Sequence, residues 1–146
     1  MTLVTSFEEM FSWKKARELN KIIYEKTSKP EFQRDFELKN QIRSSSLSTM
    51  SNIAEGFERD NLKEFRYFMR IAKGSNGETR SQIYTAFDVG YLDEEVFKNC
   101  IKLTTDIGNL IGAFIESLNK KIAKAETQSA LKNQNNSDTT LVTRHS

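Results

Sequence analysis

The sequence predicts an all-α protein: an antiparallel up-down-up-down four-helix bundle over residues 1–124, followed by a disordered polar tail, 125–146. Three observations carry this. Four segments repeat apolar residues every three to four positions, the period of a helix that buries one face. Breakers are scarce, with one proline and six glycines among 146 residues, too few for a turn-rich all-β chain. The connections are short, and short connections make successive helices antiparallel neighbours.

The first helix is expected from about Phe7 to Thr27, with Met10, Trp13, Ala16, Asn20 and Ile23 on one stripe. Ser6 followed by Glu9 has the spacing of a capping box. Pro30 ends the element, because an interior proline loses a hydrogen bond and clashes with the preceding turn. The second helix is expected from about Arg34 to Phe57. The third begins near Asn61, whose side chain can cap the backbone at Glu64, and runs to about Val89. Gly90 then stands where a left-handed residue closes a helix. Asp93 caps the fourth, and Glu94 and Glu95 complement its positive end. Phe97, Ile101, Thr104, Ile107, Ile111, Phe114, Leu118 and Ile122 continue one stripe down it. From Ala125 the pattern dissolves into Gln, Asn, Ser and Thr, a composition that buries too little surface to offset the entropy of ordering.

Composition excludes several functions. Lys+Arg 22 against Asp+Glu 20 leaves a net charge of +2, which by itself announces neither a nucleic-acid nor a membrane partner. The one cysteine, Cys100, forms no intrachain disulfide and lies in the apolar pattern of the fourth helix, which makes it a buried thiol. The one histidine, His145, is next to last in the polar tail and is expected to have no role. A triad or a zinc site is therefore not expected, and neither is any other metal or cofactor. No apolar run approaches the ~20 residues that span a bilayer, and the N-terminus lacks the basic and apolar regions of a secretory signal. A soluble, cytoplasmic, non-enzymatic protein is expected.

Two helices depart from an ordinary amphipathic pattern. In the second, Gln41, Ser45, Ser48, Asn52 and Glu55 follow 4-3-4-3 spacing and share one face. The third carries Gly74-Ser75-Asn76-Gly77 in its middle, where each glycine costs about 1 kcal/mol against alanine. Close approach of the two helices accounts for both. If the chain reverses near Asp60, Ser46 faces Gly74 and Arg43 faces Glu78, a charge-assisted pair closing a structural polar layer of Arg43, Ser48, Asn52, Glu55 and Glu78. A small-molecule or ion site built from Asn52, Glu55 and Glu78 is the weaker alternative.

The third helix also holds the only organised charge. Lys63, Arg66, Arg70 and Lys73 are spaced 3-4-3, and Arg59 falls four residues earlier. From Lys63 to Lys73 there are four basic residues against one acidic, with Phe65, Tyr67 and Phe68 interleaved. Such a stripe suits a row of phosphates, although the same pattern also describes a solvated face with ion pairs through Glu58 and Glu64. Phe68, Ile71, Tyr84, Phe87 and Tyr91 on the third helix, with Phe11, Ile22 and Tyr24 on the first, exceed what one small interior can hold. That excess predicts an interface between subunits.

The segments Trp13-Lys14-Lys15-Ala16, Gln41-Ile42-Arg43, Ser48-Thr49-Met50-Ser51-Asn52-Ile53-Ala54-Glu55-Gly56 and Ile71-Ala72-Lys73-Gly74-Ser75-Asn76-Gly77-Glu78 carry a resemblance over about Phe7 to Lys120. They resemble a bacterial family of four-helix bundle proteins encoded in intervening sequences of 23S ribosomal RNA genes, also called the S23 ribosomal protein family. The accessory variability proteins of diversity-generating retroelements are similar. The resemblance implies a homopentameric ring, binding to structured RNA or DNA, and, for the retroelement members, a reverse transcriptase or another protein as partner. It brings no activity and no cofactor. Where the family often has Ser-Ile-Pro-Ser-Asn, this chain has Ser48-Thr49-Met50-Ser51-Asn52, which predicts a straighter second helix.

Overall fold

The computed structural model describes residues 3–144, and every regular element among them is helical. A 3₁₀ turn over Phe7–Glu9 leads into α1 (Phe11–Thr27); α2 (Pro30–Arg34), α3 (Phe36–Glu58), α4 (Leu62–Asp88) and α5 (Glu94–Arg144) follow. α3 packs against α4 and α4 against α5, while α1 lies on both α3 and α5.

The helix ends follow local chemistry. Asn61 accepts a hydrogen bond from the Glu64 backbone N–H at 3.0 Å, and Asp93 accepts one from Val96 at 2.8 Å, each satisfying a donor that the first turn leaves free. Gly90 has φ 87°; its N–H reaches Phe87 O at 3.0 Å, and the Tyr91 N–H reaches Ala86 O at 2.8 Å. This pair of bonds is the Schellman closure, and it needs the left-handed backbone that glycine adopts without strain.

Three boundaries differ from the sequence reading. Ser6 makes no side-chain cap; Glu9 turns back to Thr5 instead, accepting from its backbone N–H at 3.1 Å and its hydroxyl at 3.0 Å. The 3₁₀ turn therefore precedes α1, and that backbone bond, first among the causes, holds the Glu9 carboxyl below its usual range. Pro30 not only ends a helix but starts one. It occupies the first turn of α2, where its missing N–H costs nothing, and α2 seats Phe32, 1% exposed and stacked on Tyr91 at 4.7 Å. The third difference is the expected disordered tail, 125–146, which is helical as far as Arg144. Residues 125–144 contain neither Gly nor Pro, so nothing local stops α5. Its burial does stop, at Ile122; side chains from 123 to 142 are all exposed. His145 lies outside the described residues.

The core is aliphatic. Ile23, Ile42, Ile53, Met69, Ile83 and Ile107 are essentially inaccessible and come from all four long helices. Several aromatics expected to be in excess find places within the chain. Phe87 stacks on Phe97 at 4.2 Å, Tyr84 meets the edge of the same ring at 5.2 Å, and Tyr91 covers Phe32. Phe11, Tyr67, Ile71 and Tyr24 remain exposed, and so does Tyr84 despite its contact with Phe97.

Candidate nucleic-acid interface

α4 positions the basic stripe. Its apolar face, through Met69, Ala72, Ile83 and Ala86, is fully buried, so the 3-4 repeat of cations lies to one side of it. The structure assigns those cations different circumstances. Arg59, in the turn before α4, is held by Glu55 through two nitrogens at 3.1 and 2.7 Å and lies over the Phe68 ring. Lys63 pairs with Glu126 on α5 at 3.0 Å. Both are exposed, so these pairs contribute little stability but cancel much of the local field. Arg66 is half-buried and donates to Asn119 Oδ1 at 2.9 Å, a neutral partner that fixes the guanidinium and leaves its charge intact. Arg70 and Lys73 are exposed and have no acidic partner among the described residues. The uncancelled part of the stripe is thus Arg66, Arg70 and Lys73.

The 3-4 repeat does not end at Lys73. It passes through Gly77 to Arg80, also exposed and also without an acidic partner. The sequence reading missed Arg80 because a glycine interrupts the row of cations. Continuing the spacing by one more step would have found it.

Between α4 and α5 lies an open hollow of about 410 Å³, which Lys73 and Arg80 line together with Asn76, Thr105, Gly108 and Gly112. The two α5 glycines face α4 side chains at distances a Cβ would tolerate. A Cβ at Gly108 would stand 3.4 Å from Asn76 Nδ2, and one at Gly112 would stand 3.7 Å from Lys73 Nζ. Asn76 is 4% exposed and donates from Nδ2 to Thr104 O at 2.8 Å, which leaves its buried Oδ1 without a partner.

The polar layer between α3 and α4 exists, but in a different register and with different members. Ser45 meets Thr79 at 2.7 Å and donates to Gln82 at 2.7 Å, and Ser48 meets Ser75 at 2.9 Å. Contacting residues on α4 therefore lie about one turn farther from the reversal than those on α3. Helical side chains lean toward their own N-terminus, away from the reversal on α3 and toward it on α4, and the two leans add.

The expected pairs consequently fail. Ser46 faces α1, accepting from Asn20 Nδ2 at 2.7 Å, and does not meet Gly74. Arg43 does not pair with Glu78; it donates to Thr27 Oγ1 at 2.7 Å and Ser28 Oγ at 3.3 Å, and stacks over Tyr24. Asn52 turns back on Ser48, Glu55 holds Arg59, and Glu78 is exposed. Asn52, Glu55 and Glu78 form no common site. A Cβ at Gly74 or Gly77 would meet nothing within 4 Å, so close helix approach does not explain those two glycines. It does explain Gly56, where a Cβ would come within 3.0 Å of both Phe65 Cδ1 and Phe68 Cβ.

Cys100 is inaccessible, and burial raises its thiol pKa to about 11, which suits a core thiol. Among the described residues no three His, Cys, Asp or Glu side chains group as metal ligands, and no helix is long and apolar enough to cross a membrane.

The family model for 23S rRNA-intervening sequence proteins matches residues 8–113. The chain belongs to that family. The match takes in the basic stripe and the α4–α5 hollow and ends before α5 leaves the core, so the exposed end of α5 lies beyond the family's common part. Among solved structures, a protein of unknown function from the S23 ribosomal protein family of Bacteroides thetaiotaomicron has the same fold. The TM-score is 0.66 at 22% identity, over 72% of this chain and 95% of that one. No curated protein matches the chain.

Proposed function

We propose that the protein is a non-enzymatic homo-oligomer, a pentameric ring of antiparallel four-helix bundles, that binds structured nucleic acid, RNA or DNA, through the basic face of α4. The observation that carries this reading is the uncancelled charge of Arg66, Arg70 and Lys73 along one helix face, with Arg59 and Lys63 at its end able to exchange Glu55 and Glu126 for phosphates. A subunit of net charge +2 is a weak polyelectrolyte ligand, but copies around a ring multiply the local charge and with it the release of counterions. Exposed Phe11, Tyr67 and Ile71 supply apolar surface for assembly.

The test is fluorescence anisotropy of labelled structured RNA and duplex DNA between about 50 and 200 mM salt, where each phosphate contact adds roughly −0.7 to −0.9 to the log–log slope. Binding that weakens steeply with salt, and that is lost in the double variant Arg66→Glu/Arg70→Glu while circular dichroism stays unchanged, supports the reading. Retained binding in that variant rejects the stripe. The second reading is a protein-interaction scaffold without direct nucleic-acid contact, favoured by the exposure of Phe36 (68%) and Leu47 (46%) on α3. Absence of nucleic-acid binding at low salt, with one protein partner recovered from the native host, would establish it instead.

A further inference from the structure

The 3-4 repeat that carries the α4 cations runs one step past Arg80, to Tyr84. Arg66, Arg70, Lys73, Gly77, Arg80 and Tyr84 therefore share a face, and the step from Arg66 to Tyr84 is five whole turns, roughly 27 Å. Tyr84 is 44% exposed. Its ring rests on Phe97 at 5.2 Å with an interplanar angle of 73°, and Phe97 is itself stacked on Phe87 at 4.2 Å. A T-shaped contact covers at most one face of a ring. Among the described residues no other ring and no cation lies against Tyr84, in contrast to Tyr24, whose face Arg43 takes.

This end of the face therefore offers a supported aromatic surface one turn beyond an uncancelled guanidinium. Helix residues four apart have Cβ atoms about 5–6 Å from each other, comparable with the span of a nucleotide from phosphate to base. Arg80 is exposed and has no acidic partner among the described residues, whereas Asp88, four residues beyond Tyr84, is exposed and negative. A nucleotide seated here accordingly has its phosphate on the Arg80 side.

We propose that Tyr84 is a stacking platform for an unpaired base, with Arg80 holding the phosphate of that nucleotide. The proposal rests on the nucleic-acid reading above and narrows it. Bases inside a continuous duplex are stacked on one another and present no face, so the ligand must carry a loop, a bulge or an open end. Stacking is indifferent to base identity, because every base has a π-face.

The test compares an RNA hairpin having an unpaired loop with the same hairpin carrying abasic nucleotides in the loop. Both have the same phosphates, so the difference between them reads the base alone. Anisotropy is measured for wild type, Tyr84→Phe, Tyr84→Leu and Arg80→Gln, beside circular dichroism and size-exclusion chromatography of each. Phenylalanine keeps the ring, and leucine keeps an apolar side chain against Phe97 without a π-face. Wild type should bind the intact loop at least about fivefold more tightly than the abasic one, the lower end of what one base–aromatic stack is worth. Tyr84→Phe should keep that preference. Tyr84→Leu should lose it, while its affinity for the abasic hairpin and its salt slope stay those of wild type. Arg80→Gln should instead weaken both hairpins and flatten the salt slope by about 0.7, the share of one single-strand phosphate contact.

Equal wild-type affinity for the two hairpins, a preference kept in Tyr84→Leu or lost in Tyr84→Phe, or an unchanged salt slope in Arg80→Gln would each overturn the proposal. So would a changed oligomeric state in Tyr84→Leu, which would put Tyr84 between subunits. In those cases the nucleic-acid reading still stands if wild type binds and Arg66→Glu/Arg70→Glu does not. If wild type binds neither hairpin at low salt, that reading has failed and the platform falls with it.

Discussion

Replacing Gly56 by alanine tests whether the α3–α4 approach is as tight as the structure shows. The new Cβ would stand 3.0 Å from Phe65 Cδ1, 3.0 Å from Phe68 Cβ and 3.3 Å from the Phe65 carbonyl oxygen. None of these yields easily. The Phe65 ring is wedged between Phe57 at 6.1 Å and Phe114 at 4.9 Å, and the other two atoms move only with the α4 backbone. Overpacking of this kind costs about 1–3 kcal/mol. Alanine returns up to about 1 kcal/mol of helix propensity, and less than that in the last turn of α3, where Gly56 sits. The expected net effect is a loss of about 1–2 kcal/mol. Gly74→Ala is the internal reference, since its Cβ meets nothing and only the propensity gain, about 1 kcal/mol, remains. The two variants should therefore differ by about 2–3 kcal/mol in urea unfolding at equal protein concentration and unchanged m-value. A Gly56→Ala protein at least as stable as Gly74→Ala would refute the reasoning.

Three further outcomes are expected. Cys100, inaccessible and with its pKa raised to about 11, should resist a thiol reagent at pH 8 and react only as the chain unfolds in denaturant; prompt labelling in native buffer would contradict its burial. Tyr91 donates to Asp35 Oδ2 at 3.0 Å, and that bond, followed by burial and the Asp35 charge, raises its pKa above the ordinary 10. The folded state therefore holds the phenol proton more tightly than the unfolded chain. Stability from this group is complete below pH 10 and is lost as pH rises through the folded value, so Tyr91→Phe should flatten the alkaline limb of a stability–pH curve. Asn61→Ala removes the acceptor for the Glu64 N–H and should lower stability by about 1 kcal/mol, read as a shift in thermal midpoint, while Asn61→Ser should retain most of it.

The sequence by itself determined the helical class, the sites of the four long helices and most of their ends. Those follow from local rules: an apolar period, an Asn or Asp with a free acceptor before the first turn, and a glycine where φ must be positive. Asn61, Asp93 and Gly90 act as those rules require. Local rules also misled where one residue had two uses. Pro30 stops one helix and starts another, and the polar composition after Ala125 contains no breaker to end α5. The family was legible in the motifs themselves, and the motif glycine at Gly56 proved to be a packing requirement.

What the tertiary structure alone decided is which side chains meet. Register between α3 and α4 depends on the direction in which side chains lean, not on distance from the turn, so Ser48 finds Ser75 and Arg43 turns to Thr27 and Ser28 on the α1 side. Whether a cation is free depends on what the neighbouring helix offers. The sequence treats Lys63 and Lys73 alike, yet α5 presents Glu126 to the first and Gly112 to the second. The unpartnered Asn76 Oδ1 has no signature in the chain, because a missing partner becomes visible only when every neighbour is in place.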